Sequence, residues 1–123
     1  MKIKIMLPDR DGKPTSVSVS ALKIGKYFAI HRDIRWARNR KGEPINRAIA
    51  MKSGWTITHL ATGYAALNRI KFSSQAAKAA RRLEAVKAIN WKQTKAEEFR
   101  KESAKLPEEI RTFVRALERT TLG

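Results

Sequence analysis

Cysteine is absent from this 123-residue chain. Without it there is no disulfide framework, no zinc finger or knuckle and no thiol nucleophile. The interior of a cell suits such a composition, and a cytoplasmic location is expected. Acidic residues are also scarce: 11 Asp and Glu face 27 Lys and Arg, a formal net charge of +16. A surplus of that size favours polyanionic partners. Large aliphatic and aromatic residues are thin as well, because Leu, Ile, Val and Phe together occupy only 27 positions while Ala supplies 17. So lean a core is expected to complete its burial through a partner, which favours a homo-oligomer.

Long apolar runs are missing too. The start, Met1 to Pro8, carries Lys2 and Lys4 and lacks the apolar stretch of a secretory signal. No segment approaches the roughly 18 apolar residues that span a bilayer, so no membrane association is expected. Neither a Walker loop nor a GxGxxG pattern occurs, which leaves nucleotide hydrolysis without support. No repeat of about 20–50 residues is present, which excludes a solenoid.

What is present divides near Phe72. Residues 1–72 hold 15 basic and 4 acidic side chains, against 12 and 7 in residues 73–123. Lys2 to Leu7 alternates, with Ile3, Ile5 and Leu7 on one side. Thr15 to Ser20 alternates again after a turn cluster in which Gly12 can take a positive φ, so a hairpin is predicted. A third strand is expected over Lys26–Arg32, a fourth over Trp55–Leu60 and a short fifth from Tyr64 to Leu67. The first predicted helix is capped by Ser73 or Ser74 and carries Ala76, Ala79, Ala80, Leu83, Val86 and Ala88-Ile89 on its apolar side. Trp91 is expected to pack against it. Thr94 to Glu97 reads as a capping box that opens a second helix ending near Leu106. Pro107 opens a third, with Ile110, Phe113, Val114 and Leu117 at i, i+3, i+4, i+7. The expected fold is therefore α+β: an antiparallel sheet of four to five strands with a protruding basic arm, then two to three C-terminal helices. Residues 1–123 form a single domain.

The arm is the strongest candidate site. Between the third and fourth predicted strands lies a segment of about twenty residues, uncommon for a structureless loop. Over its 21 positions from 32 to 52, Arg32, Arg35, Arg38, Arg40, Lys41, Arg47 and Lys52 face only Asp33 and Glu43. Trp36 sits among them. Guanidinium groups pair with phosphates and also stack, and an indole offers a surface to an unpaired base, so this mixture suits single-stranded nucleic acid. The plainer reading is a solvated charged loop. Tyr27 and His31, opposite Phe28 and Ile30, are candidates for a wet binding face. Trp55 shares parity with Ile57 and reads first as core, with stacking as its second role.

Catalysis has little to work with. His31 and His59 are the only imidazoles, and no Ser or Cys is placed as a recognisable nucleophile. Asp9, Asp11, Asp33 and Glu43 are the only carboxylates before Phe72, too few and too dispersed for a metal-dependent nuclease. No enzyme activity, metal or cofactor is expected. Glu97, Glu98, Glu102, Glu108 and Glu109 make the later helices poor groove readers.

Strands followed by an Ala-rich helix over about the first 90 residues give the chain an order similar to Whirly-type single-stranded DNA-binding folds. Its size, charge and lack of cysteine also resemble accessory proteins of phages and mobile elements in replication or transcription. The expected function is non-enzymatic binding of nucleic acid with low sequence specificity, single-stranded DNA being favoured over RNA. The alternative is a small basic module or inhibitor that docks on an acidic surface of a host protein such as a polymerase or defence complex.

Overall fold

Alternation of β-branched residues with Lys and Ser builds the first hairpin of the computed structural model, which describes residues 1–8, 11–86, 91, 92, 97, 101 and 112. Strand β1 (Lys2–Pro8) pairs antiparallel with β2 (Pro14–Ser20), from Lys2 opposite Ser20 to Pro8 opposite Pro14. Ile3, Ile5 and Val19 are buried, while Lys2, Lys4, Ser16 and Ser18 on the other face are exposed. This ribbon stands apart from a four-stranded antiparallel sheet ordered β3-β4-β5-β6. Its strands are β3 (Leu22–Ile24), β4 (Phe28–Arg38), β5 (Pro44–His59) and β6 (Ala65–Ile70), and helix α1 (Ser73–Glu84) follows.

The four-stranded sheet is covered on both sides. Ile24, Phe28, Ile30, Ile57 and Ile70 pack against Ala76, Ala79, Ala80 and Leu83 of α1. The three alanines let the helix axis come close to the strands, and Val86 and Trp91 extend the same core. On the opposite face, Ile3, Ile5 and Val19 of the ribbon pack on Ala29, with Ile34 and Leu60 at the margin. The ribbon is held there by backbone bonds from Met6 N to Gly63 O at 2.9 Å and from Ala21 N to Met1 O at 2.8 Å. The order is therefore helix, sheet, ribbon, and each apolar face is removed from water by its neighbour.

The expectation of an α+β fold with two to three C-terminal helices is corrected. The structure is mostly β, with six strands and a single helix of seven or more residues among the described residues. The second and third predicted helices fall on residues 94–117, of which only Glu97, Lys101 and Thr112 are described. Nor is there one sheet: the first hairpin forms a separate layer, because its apolar face packs on the sheet instead of extending it. The first helix ends at Glu84 with Ala85 as C-cap, before Val86 of its expected apolar pattern, and Ala88 and Ile89 lie outside the described residues. Its N-cap is Phe72, in an extended conformation and without a side-chain cap, so Ser73 and Ser74 lie inside the helix. Leu22–Ile24 is too short to show a period and was not predicted. The strands predicted at Lys26–Arg32 and Trp55–Leu60 belong to β4 and β5, which run much farther because they continue into the arm.

Candidate nucleic-acid interface

The arm is a β-hairpin made by the distal part of β4 and the first part of β5. Ile34 pairs with Ala50, Arg35 with Ile49, Trp36 with Ala48 and Arg38 with Pro44. At its base, the register moves between Arg32↔Trp55 and Ile34↔Ala50, so Met51 to Gly54 bulge opposite Asp33. Gly54 sits in this bulge with φ +90, a conformation side chains resist. At the tip, Asn39 organises the turn: its Oδ1 accepts the backbone N–H groups of Lys41 and Glu43, each at 2.9 Å. The Arg38 guanidinium closes it by donating to Gly42 O at 2.6 Å. Arg40 and Lys41 are thus presented on an ordered turn. Sequence reasoning missed Asn39, although Asn four residues before Glu in a Gly-containing turn is a recognisable Asx signal.

Arg32, Arg35, Arg38, Arg40, Lys41, Arg47 and Lys52 are all exposed. They run from the base of the arm to its tip and back. Asp33, the buried acid at the base, does not face them: its Oδ1 accepts from Thr56 Oγ1 at 2.5 Å and from Arg69 N at 3.3 Å.

The aromatic candidates fare differently. Trp36 is half-buried, and its Nε1–H donates to Pro8 O at 2.7 Å, which ties the arm to the end of the ribbon. Directly paired residues share a face, so Trp36 lies with Ala48 while its neighbour Arg35 lies with Ile49 on the other side. Trp55 is half-buried at the edge of the helix-side core, and the Arg32 guanidinium lies 4.4 Å from its ring centroid. The aromatic ring beside an arm cation is therefore that of Trp55.

Tyr27 and His31 do not form a wet face. The expected parity holds for His31, whose face of β4 is covered by the ribbon, but not for Tyr27, which packs on the side of Phe28 and Ile30. His31 is only 2% exposed: its Nδ1–H donates to Arg32 O at 2.7 Å, and its Nε2 accepts from Thr58 Oγ1 at 2.8 Å. Burial lowers its pKa below the ordinary imidazole value, opposed by the Arg32 carbonyl and the Asp33 charge. Tyr27 lies in the turn before β4, half-buried against the helix-side core. His59 is structural as well. Its Nε2–H donates to Trp91 O at 2.6 Å, its Nδ1 lies 3.0 Å from Thr62 Oγ1, and burial lowers its pKa. Trp91 meets Phe28 edge-on at 5.0 Å, inside the core that includes the helix.

His31, Asp33, Thr56 and Thr58 form a polar layer that lines a small cavity of about 200 Å³ under the ribbon, with Asn68 and Arg69 at its side. Arg69 has φ +59, unusual for a side-chain-bearing residue, and its backbone N–H reaches Asp33 from that conformation. The polar groups are largely spent on one another, and this arrangement stabilises the bulged base of the arm. Among the described residues no group of three or more His, Cys, Asp or Glu side chains could hold a metal ion. No helix among them is long and apolar enough to cross a membrane.

No protein-family model matches the chain, and no curated protein or solved structure shows significant similarity to it. The resemblance to Whirly-type folds therefore gains no support from overall structure.

Proposed function

We propose that the chain is a non-enzymatic nucleic-acid-binding protein whose hairpin arm grips the phosphate backbone, with single-stranded DNA as its preferred partner and low sequence specificity. One observation carries this reading: seven exposed cations are displayed along a two-stranded arm built on an ordered turn. Such a ribbon gains little from burying apolar surface at its tip, whereas closely spaced cations are balanced when phosphates approach. Contacts to the backbone position a strand without reading its sequence.

The test is a salt titration of binding to a labelled single-stranded oligonucleotide. If about six phosphates are neutralised, the slope of log K against log salt is roughly −4, a few hundredfold loss between about 50 and about 200 mM. Replacing Arg35, Arg38 and Arg40 by Ala should bring the slope to roughly −2. An unchanged slope in that variant removes the arm as the main contact.

A second reading has its own support. Among the described residues, and beyond its pairing with β3, the distal part of β4 is paired as a strand only with β5, and the first part of β5 only with β4. These open edges suit docking on an acidic protein surface or on a second copy of the chain. In that case oligonucleotide affinity is weak and the Arg variants lose the protein partner instead.

A further inference from the structure

Between the open end of the ribbon, where Lys2 pairs with Ser20, and the base of the arm lies a cleft of about 580 Å³, lined in part by Lys2, Arg32, Ile34, Ala48, Ala50 and Trp55. Protein interiors are close-packed, and an open volume of this size falls within the roughly 300–1,000 Å³ of small-ligand sites. Its origin is in the sequence of the arm. The positions of β5 paired with Ile34 and Trp36 are Ala50 and Ala48, whose methyl groups leave space that larger side chains would occupy.

The lining defines what fits. Among the described residues its lining contains no carboxylate, it is apolar along Val19, Ile34 and the two alanines, and it carries Lys2 and Arg32. Leu22, 61% exposed, lies at its rim. An occupant with a flat apolar part and a negative charge matches this combination. The Arg32 guanidinium already lies over the Trp55 ring, 4.4 Å from its centroid. Both groups line the cleft, so an indole and a guanidinium plane are held ready for stacking.

We propose that the cleft receives one unpaired nucleotide of a DNA strand whose backbone runs along the arm, with the base stacked at the Arg32–Trp55 pair and its phosphate near Lys2. This rests on the arm binding the backbone, and it supplies the reason for a single-strand preference: a base held in a duplex enters only after unstacking and unpairing. Arg32 then acts in two ways, as a cation and as a stacking plane.

The experiment compares a labelled 12-nucleotide thymidine strand with a strand of equal length and charge that lacks bases, by fluorescence anisotropy at two salt concentrations. The thymidine strand should bind on the order of tenfold more tightly than the abasic one, as expected for one stacked base. Ala50→Leu, at an exposed position, fills the cleft, and Arg32→Ala removes the guanidinium beside Trp55. Both should collapse the ratio of the two affinities toward one. Loss of one phosphate contact weakens both strands alike and leaves the ratio unchanged, so the ratio separates stacking from charge. Equal binding of the two strands by the unaltered protein, or a ratio untouched by both variants, overturns the cleft while salt-dependent binding preserves the arm. Absence of salt-dependent binding to either strand overturns both.

Discussion

The backbone N–H of Lys26 donates to Glu84 Oε1 at 2.6 Å, joining the last turn of α1 to the turn between β3 and β4. The N–H of Tyr27 reaches the same oxygen at 3.1 Å. A carboxylate at a helix C-terminus opposes the helix dipole, and these two donors offset that cost. Gly25, with φ +67, leaves room for the contact, since a Cβ there would overlap the Glu84 carboxylate. Glu84→Ala is expected to lower stability by about 1.5–3 kcal/mol, and Glu84→Gln by less because an acceptor remains. Gly25→Ala should cost at least about 1 kcal/mol. Urea denaturation measures all three, and midpoints equal to that of the parent would contradict the role of this contact.

Burial lowers the pKa of both His31 and His59. Below an unfolded value of about 6.5 the unfolded chain therefore binds more protons than the folded one. Stability from these groups is fully present above about pH 6.5 and is lost as pH falls toward the depressed folded values. The denaturation midpoint should drop between about pH 7.5 and about pH 5, and the imidazole resonances should titrate below about 6.5. Resonances that titrate at or above that value would refute the assignment.

Trp36→Phe keeps a ring but removes the donor to Pro8. Because the indole serves as a tether, the variant should lose about 0.5–1.5 kcal/mol of stability. Oligonucleotide affinity should change by less than about twofold, within the scatter of neutral surface substitutions. A large loss of affinity with stability intact would instead make Trp36 a stacking residue.

Ala80 is fully buried between α1 and the sheet. Ala80→Leu forces the helix away from Phe28 and Ile57 and is expected to cost about 1–3 kcal/mol. Thermal unfolding reads this directly, and a midpoint unchanged from the parent would show that the helix packs less closely than described.

The sequence by itself determined the local properties of the chain. The alternation of Ile3, Ile5, Val17 and Val19 specifies a ribbon with one apolar face, the Ala-rich spacing after Phe72 specifies a helix, and the crowding of Arg and Lys between positions 32 and 52 specifies a basic arm. These follow from periodicity and charge, which act between near neighbours. Tertiary structure decided which surfaces stay wet. His31 faces away from Phe28 as its parity requires, yet it is buried because the ribbon folds back over that side of the sheet. Trp36 is drawn to Pro8 across 28 residues, and the helix ends where Glu84 reaches a turn 58 residues earlier. No local pattern encodes these meetings, since each depends on how separate layers stack once their apolar faces leave water.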